Sequence, residues 1–366
     1  EAAGFQWEKR PGFGRKKEML AGAIAAPTND THRTPWLPAG KPLSPGARIA
    51  VIGAGVAGAS AAHALAAAGF NPSVYEASAP ASGASGNPAG LVMPRLDVGD
   101  TAAGAFHAGA YLHTQQLLSS LGGHIFNPCG VIHAATDDRE RERQSKLLAQ
   151  GALPKGWIEP CGQGVFFPQG GVIDPPAFVR ALIGETSVIP ACVNRLHQTE
   201  NGWRVVTDKG EDEVDAVIIA NSLDALRFAD ARTLPLSGSA GQIDWFPDAA
   251  PPDQALAFGP YAAPCPNGGA IIGATYAPIA IGAEARFTPE ATQSNIAAVA
   301  RTLPEFAATL DPNASRPRAC VRAPTCVSVN IRACVRAPGS ARVRACVRVP
   351  VCVSASASVR ACAFAC

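Results

Sequence analysis

The sequence contains no apolar run of the roughly 18 to 20 residues that a membrane-spanning helix requires. Its first residues also lack the charged and apolar segments of a secretory signal peptide. These absences predict that the chain has no membrane partner. The 366 residues are 47% hydrophobic and include 36 Gly and 32 Pro, which is typical of a globular protein rich in loops. The length predicts two or three domains.

Cysteine is scarce in the first 315 residues and has no metal-binding pattern there. Cys129, Cys161, Cys192 and Cys265 are widely separated, so we predict no metal site. Scattered cysteines of this kind suit a reducing compartment, and we expect a cytoplasmic protein. Seven of the eleven cysteines follow position 319.

Acidic residues are absent from the C-terminal segment 316–366, which contains nine of the 31 basic residues. The first 315 residues therefore have 22 basic and 29 acidic side chains, and the basic character of the chain belongs to the tail. The run Arg-Ala-Cys-Val recurs from Arg318, Arg332 and Arg344, and a four-nucleotide DNA repeat read in triplets encodes that order. We interpret the tail as a translated repeat that is disordered or at most an incidental strand. A cysteine-rich metal site is the alternative, but the cysteine spacing is irregular and the tail has no histidine.

A proline-rich stretch between Pro27 and Pro45 predicts a linker over 23–46, ahead of the main folded region at 47–315. Sequence pattern and proline positions predict helices over 101–121, 139–150 and 175–183. Runs of strand-forming residues predict strands over 187–192, 203–207, 214–220 and 270–274. A β-rich middle flanked by α/β segments predicts an α/β fold, a Rossmann-like doubly wound sheet with an inserted α+β domain.

A glycine-rich turn, Gly53-Ala54-Gly55-Val56-Ala57-Gly58, follows an apolar strand at 48–52 and opens a helix at 56–68. Gly53 allows a tight turn, Gly55 lets the backbone approach a pyrophosphate, and Gly58 lets the helix pack against the strand. The helix N-terminus directs its amides and its dipole toward the phosphates. A second strand at 71–75 brings Glu76 to the position where an acid binds a ribose hydroxyl. The pattern predicts a dinucleotide site, and a packed alanine helix after a glycine turn is the plainer alternative.

Glu76 and the segment that follows it narrow the choice of ligand. A carboxylate repels the 2′-phosphate of NADP, so Glu76 disfavours that cofactor. Flavoproteins use a small-residue loop such as 82–90 to line the pyrophosphate and the isoalloxazine ring with backbone amides, whereas NAD dehydrogenases usually lack one. The sequence therefore predicts FAD, held by the turn, by Glu76 and by the residues Ala84, Ser85, Gly86, Asn87, Gly90 and Leu91.

The segment 82–97 resembles the flavin domain of the bifunctional tRNA 5-methylaminomethyl-2-thiouridine biosynthesis proteins, within the glycine oxidase and D-amino-acid oxidase group. Further segments that resemble this family are 12–20, 170–175, 215–221, 241–242 and 272–276. The resemblance implies FAD-binding regions at 47–100 and 170–230, with the substrate region interleaved. It also implies that Ala220 and Asn221, on the strand that returns to the FAD, belong to the cofactor site.

Two departures from the family pattern limit this expectation. Only the segment 1–22 resembles the methyltransferase domain of these bifunctional proteins, so we expect a shortened chain without an S-adenosylmethionine site. At the other end, 318–325 resembles the start of the family's closing motif. The Asp-Arg-x-Pro-x-Val-Gly stretch that completes the FAD site is then replaced by the repeat.

The resemblance implies oxidation of carboxymethylaminomethyl uridine at the wobble position of tRNA. A hydride leaves the α-carbon of a glycine-like arm, the imine hydrolyses to glyoxylate, and an aminomethyl uridine remains. The carboxylate of the arm needs a positioned cation, for which we choose Arg95, and an ion pair with Asp97 is the structural alternative. Tyr276 is a candidate for hydrogen bonding to substrate or flavin, and a packed strand tyrosine is the alternative. His107 and His113 do not share a face of their predicted helix, and we expect neither to act in catalysis.

Two other functions remain open on the sequence. A free amino-acid oxidase of the glycine oxidase type would use the same site, although the extension before the linker argues against a stand-alone oxidase. A non-catalytic remnant is consistent with the missing closing motif. The basic stretch between Lys9 and Lys17 is suited to tRNA phosphates, but a solvated segment is the commoner explanation. The sequence does not indicate an oligomeric state.

Overall fold

The computed structural model describes residues 5–11, 18–24, 43–99, 101–228, 236–322, 332–336 and 344–348. The chain divides into two compact units, Glu1–Lys41 and Pro42–Cys366. In the first unit, β1 (Phe5–Pro11) and β2 (Glu18–Ile24) form an antiparallel pair. The methyltransferase-like segment 12–20 lies partly outside the described residues, and the predicted linker 23–46 lies mostly outside them.

A parallel four-stranded sheet forms the first layer of the second unit, in the order β11-β4-β3-β15. Its strands are β3 (Arg48–Ile52), β4 (Asn71–Glu76), β11 (Ser187–Pro190) and β15 (Ala216–Ile219). All three contacts between them are parallel. The central strand β3 is apolar because both of its faces are covered, and Ile49, Ala50 and Val51 are buried. This is the Rossmann-like parallel sheet that the sequence predicts.

Two helices cover one face of this sheet. Helix α1 (Val56–Ala67) connects β3 to β4, and helix α4 (Pro175–Ile183) packs against α1. The start of α4 is set by Asp174, whose side chain accepts a hydrogen bond from the Ala177 amide at 2.9 Å, and by Pro175 in the first turn. The apolar residues of α4 face the core, so both ends and the buried face of this helix follow from local sequence.

The second unit also contains two small antiparallel sheets. One has the order β5-β10-β6 and consists of β5 (Gly90–Val92), β6 (Phe126–Asn127) and β10 (Gly171–Ile173). The other has the order β12-β13-β14 and consists of β12 (Val193–Gln198), β13 (Trp203–Thr207) and β14 (Glu211–Val214). Tyr75 on β4 donates a hydrogen bond to Asp212 on β14 at 2.8 Å, which ties the second small sheet to the parallel one.

A nine-stranded sheet forms the rest of the second unit, in the order β20-β16-β19-β18-β17-β7-β9-β8 with β21 paired to β16. Its strands are β7 (Val131–Ala134), β8 (Glu159–Cys161), β9 (Gly164–Phe167), β16 (Gly238–Phe246), β17 (Ala255–Ala257), β18 (Tyr261–Pro264), β19 (Ala270–Gly273), β20 (Ala277–Ile279) and β21 (Arg316–Arg322). The remaining helices are α2 (Ala102–Leu121), α3 (Asp138–Gln150), α5 (Pro289–Ala300) and α6 (Pro304–Ala308). Among the helices of the described chain, none is both long and apolar enough to cross a bilayer.

The large sheet packs on the small sheet that contains β5. Leu91 of β5 and Val172 of β10 share a buried cluster with Tyr261 of β18 and Ile271 of β19. This core joins β5 and β10 to the large sheet, and it fixes β5 between two parts of the fold.

A buried polar network fastens helix α5 to strand β16. Asp244 is 0% exposed and accepts hydrogen bonds from Thr292 Oγ1 at 2.6 Å, Asn295 Nδ2 at 2.7 Å and Ser315 Oγ at 2.8 Å. The Gln242 amide donates to the same carboxylate at 3.2 Å. A buried carboxylate is stable only when donors replace its water, so this network specifies how α5 and the residue before β21 sit on the sheet.

Strand β21 departs from the predicted tail boundary. The sequence pattern predicts a repeat tail over 316–366, but Arg316–Arg322 pair with β16 along their whole length, from Trp245 back to Ser239. Ordinary antiparallel pairing and the contact of Arg316 over the Trp245 ring hold them there. Further along, β22 (Arg332–Arg336) and β23 (Arg344–Arg348) pair with each other. The predicted disorder of 323–331, 337–343 and 349–366 concerns residues outside those described.

Candidate functional site

Two glycines of the turn after β3, Gly53 and Gly58, are required by backbone neighbours, and Gly55 lies close to a side chain. Gly53 has a φ of +102°, and a Cβ there would lie 2.8 Å from the Ala220 carbonyl oxygen. A Cβ on Gly58 would lie 1.8 Å from the Gly53 carbonyl oxygen, so only glycine lets α1 start this close to the turn. A Cβ on Gly55 would lie 3.0 Å from Ser85 Oγ. The turn thus keeps its backbone open to a ligand on one side and packed on the other.

Glu76 ends β4 beside this turn and is held by two backbone amides. One carboxylate oxygen accepts from Ala54 N at 2.8 Å, and the other accepts from Ser78 N at 3.0 Å. The carboxylate is therefore fixed at the edge of the turn by the chain itself. Glu76 also lines the cavity that the turn lines, and a carboxylate has further lone pairs that can accept from ligand hydroxyls.

The loop 82–90 folds over the N-terminus of α1. Ser85 Oγ accepts a hydrogen bond from Val56 N at 2.9 Å, and this replaces a side-chain cap because the N-cap residue is Gly55. The segment before the loop is anchored to the turn, since Ala81 N donates to the Ala54 carbonyl at 3.0 Å. The loop and the turn therefore form one continuous wall.

This wall lines a cavity of about 770 Å³. The turn contributes Gly53, Gly55, Val56 and Ala57, and Glu76 lies beside them. The loop contributes Ala84, Ser85, Asn87 and Gly90, and the end of β15 contributes Ala220 and Asn221. Gly58 and Gly86 lie behind the wall, where they permit close packing, and Leu91 lines a second cavity instead.

The second cavity has a volume of about 560 Å³ and is lined by Leu91 of β5, the residue after Gly90, which lines the first cavity. Arg95 and Tyr276 both line it, although they are far apart in the sequence. Arg95 is 44% exposed, and its Nε lies 3.8 Å from Asp97 Oδ1. Arg95 therefore makes the ion pair with Asp97 that was the structural alternative, although at a long distance, and it also lines the cavity. Tyr276 is 45% exposed and lies over Gly241.

Tyr261 on β18 also lines the second cavity, and the sequence analysis misses it. The residue is only 5% exposed, and its hydroxyl has no hydrogen-bond partner among the described residues. Burial raises the pKa of this phenol well above its usual value, so the hydroxyl remains a neutral donor. A buried hydroxyl without a partner on a cavity wall is suited to a ligand that supplies an acceptor.

The two helical histidines lie away from both cavities. His107 is buried on α2 with its ring in edge contact with Phe106, and neither His107 nor His113 lines the described cavities. This arrangement agrees with a packing or surface role for the pair.

Residues 48–337 match the family model described as FAD-dependent oxidoreductase. The chain belongs to this family. Curated relatives are tRNA 5-methylaminomethyl-2-thiouridine biosynthesis bifunctional proteins. The one from Chromohalobacter salexigens is 33% identical over 88% of this chain and 50% of its own length, and the one from Caulobacter sp. is 34% identical over 93% and 55%. The chain spans about half the length of the curated relatives it matches.

Solved structures share the fold of this oxidoreductase. Glycine oxidase from Geobacillus kaustophilus aligns with a TM-score of 0.60 at 19% identity, covering 75% of this chain and 83% of that one. Iminodiacetate oxidase from Chelativorans sp. BNC1 aligns with a TM-score of 0.61 at 18% identity, covering 78% and 86%. At these identities the likeness describes the fold alone, which is the α/β arrangement of a Rossmann-type sheet with a mixed second sheet.

FAD is the cofactor of this family, and the first cavity fits it. The glycines of the turn have no side chains, which leaves room for a pyrophosphate beside the first amides of α1. These amides lack intrahelical acceptors. Asn221 Oδ1 is buried on the cavity without a hydrogen-bond partner among the described residues, which leaves an acceptor for a ligand hydroxyl or amine. Glu76 supplies further acceptors at the same wall.

Strand β21 also lines the first cavity, although the sequence pattern predicts that it belongs to the repeat tail. Ala319, Cys320 and Val321 line this cavity, within the segment taken as the start of the repeat tail. The available signal was the resemblance of 318–325 to the family's closing motif. Pairing with β16 brings these residues to the cavity, and such a long-range contact leaves no periodic trace in the sequence.

Proposed function

We propose that this oxidoreductase acts on the carboxymethylaminomethyl group of wobble-position uridine in tRNA, releases glyoxylate and leaves the aminomethyl form. The names of the curated relatives support a tRNA substrate of this class. The cofactor residues of the proposed site are those of the turn, Glu76, the 82–90 loop, and Ala220 with Asn221. A tRNA substrate also makes the cytoplasm the proposed location.

The observation that carries the proposal is the pair of cavities lined by consecutive residues of β5. FAD, when bound, supplies the acceptor for the hydride that leaves the α-carbon of the arm. The second cavity offers what the glycine-like arm needs, a cation for its carboxylate and a neutral donor in a sheltered place. Arg95 is the proposed cation, and the Tyr261 hydroxyl is the proposed donor.

Tyr276 is proposed to orient the substrate near the cavity entrance. Its side chain is about half exposed, and its ring packs against Gly241 on β16. The ring is therefore supported by the strand and still partly accessible to solvent. An aromatic side chain placed this way suits a planar base that enters from solvent.

The test compares two substrates on the purified full chain loaded with FAD. Carboxymethylaminomethyl tRNA is expected to yield glyoxylate and, after digestion, an aminomethyl nucleoside, whereas free glycine is expected to yield neither. Glyoxylate from free glycine at a comparable rate would instead support a free amino-acid oxidase of the glycine oxidase type. Protein that is purified without absorbance near 450 nm and does not take up added FAD would favour the inactive remnant.

A further inference from the structure

We propose that Arg318 is a positioning residue for the cofactor and holds the FAD-lining loop 82–90 against the large sheet. Its Nη2 donates to the Ser82 carbonyl at 2.7 Å and to the Gly83 carbonyl at 2.9 Å. These two carbonyls begin the loop, and both residues line the first cavity. The inference rests on FAD binding by this family and is independent of the tRNA substrate.

The contact is made by a charged donor on a long side chain. One planar guanidinium nitrogen reaches two successive carbonyls, which brings two charge-assisted hydrogen bonds to the same short stretch of backbone. The same nitrogen lies where a side chain at Gly86 would be, since a Cβ there would come within 2.5 Å of it. The guanidinium is therefore packed into the loop as well as bonded to it.

The loop has few other means of keeping its shape. Its only regular element is a single 3-10 turn at Ala84–Gly86, so its conformation depends on anchors outside it. On the side of α1 the anchor is the bond from Val56 N to Ser85 Oγ. On the side of the large sheet the anchors are Arg318, the Cys320 thiol, which donates to Asn87 Oδ1 at 3.2 Å, and the Cys265 thiol, which donates to the Pro88 carbonyl at 3.6 Å.

Strand β21 supplies a rigid base for the second set of anchors. All seven of its residues pair with β16, and Ser315 just before it donates to the buried Asp244 carboxylate. Through Arg318, this strand fixes the distance between the sheet and the wall of the first cavity. The first residues of the segment that resembles a repeat tail thus belong to the cofactor site.

The test uses Arg318→Met in the full chain, which keeps most of the aliphatic stem and removes the donors. We expect its FAD affinity to fall by about tenfold or more, because a hydrogen bond to a charged group contributes about 1.5–3 kcal/mol and tenfold corresponds to 1.4 kcal/mol. Binding is measured by titrating the apoprotein with FAD and following flavin fluorescence. Arg318→Lys is expected to recover part of the affinity, because the ammonium retains donors without the planar fork.

The matched control is Arg316→Met on the same strand, whose guanidinium lies over the Trp245 ring at 5.3 Å and makes no described contact with the loop. Its FAD affinity should equal that of the unmodified chain. A second readout is ADP, which needs the turn and Glu76 more than the loop. Arg318→Met should therefore weaken ADP binding less than FAD binding.

Unchanged FAD affinity in Arg318→Met would overturn the inference, and so would equal losses in Arg316→Met and Arg318→Met. Equal losses for FAD and ADP, together with a lower melting temperature of the apoprotein, would also overturn it, since they indicate general destabilisation. The variant Arg318→Lys decides the matter if Arg318→Met does not fold, because a folded lysine variant must still bind FAD more weakly than the unmodified chain.

Discussion

Ser85 Oγ accepts a hydrogen bond from the Val56 amide at 2.9 Å, so a loop residue caps the helix that begins 29 positions earlier. The N-cap residue Gly55 has no side chain for this purpose, because a Cβ there would crowd the same hydroxyl. The first helix therefore relies on the loop for its cap, and the loop relies on the helix for its position. The stability of α1 and the shape of the cofactor cavity are coupled through this one bond.

Ser85→Ala should lower both stability and cofactor affinity. Removing a helix cap costs about 0.5–2 kcal/mol, so we expect a loss of about 1 kcal/mol in the free energy of unfolding of the apoprotein. Urea denaturation measures this loss, and FAD titration measures the accompanying loss of affinity. The control is Thr101→Ala, which removes the cap of α2, where Thr101 Oγ1 accepts from Gly104 N at 2.9 Å. A similar stability loss with unchanged FAD affinity is expected for the control, and an equal drop in affinity in both variants would contradict the coupling.

Gly58→Ala should abolish tight FAD binding. The added Cβ would lie 1.8 Å from the Gly53 carbonyl oxygen, so α1 or the turn must move. Overpacking of this kind costs about 1–3 kcal/mol, and the shift displaces the backbone that faces the pyrophosphate. Absorbance near 450 nm per mole of purified protein reports the bound flavin.

Gly109→Ala is the matched control for the substitution at Gly58. Gly109 lies on the exposed face of α2, where a Cβ would meet nothing within 4 Å, and alanine is favoured over glycine in a helix by about 1 kcal/mol. This variant should keep its flavin and gain stability. A Gly58→Ala protein as yellow as the control would show that the close approach is not needed.

Tyr261→Phe should separate stability from substrate binding. The buried hydroxyl has no partner among the described residues, so its removal should leave the free energy of unfolding unchanged or raise it by about 1 kcal/mol. The KM for carboxymethylaminomethyl tRNA should nevertheless rise, because the proposed donor to the substrate is lost. Tyr75→Phe is the contrasting variant, since the Tyr75 hydroxyl donates to Asp212 at 2.8 Å, and its loss should destabilise the protein by about 1 kcal/mol. A Tyr261→Phe protein with lower stability and an unchanged KM would rule out this role.

Arg95→Met should raise the KM for the tRNA substrate by about tenfold or more, because a charged hydrogen-bonding partner contributes about 1.5–3 kcal/mol. FAD affinity should not change, since Arg95 borders only the second of the two described cavities. Steady-state glyoxylate release gives the KM. Arg141→Met, which removes an exposed helical arginine that pairs with Asp138, is the control and should behave as the unmodified chain. If both variants have the same KM as that chain, the proposed carboxylate contact is wrong and Arg95 serves only its ion pair with Asp97.

The nucleotide-binding unit could be predicted because its information is local. Strand β3, the turn, α1, β4 and Glu76 follow one another within 30 residues. Gly58 is needed for a close contact within the turn, and Gly53 for one with the returning strand. Two prolines in the first turn predict helix α4 with its observed bounds, and in the structure Asp174 and Gly184 cap its ends. The small-residue loop 82–90 extends this local prediction to FAD, which the family match bears out.

The sequence by itself determined the parallel strands, the cofactor turn and the family of this oxidoreductase. Only the tertiary structure brought Arg95 and Tyr261 to one cavity, and only it returned Arg318 to the loop that starts 236 residues earlier. The physical reason is that helix caps, glycine turns and apolar strands are specified by neighbours in sequence, whereas sheet pairing depends on which edge a distant strand can reach. A repeat of Arg-Ala-Cys-Val has the same composition inside and outside the fold. The first copy of the repeat, which begins at Arg318, became part of the cofactor site because it pairs with an edge of β16.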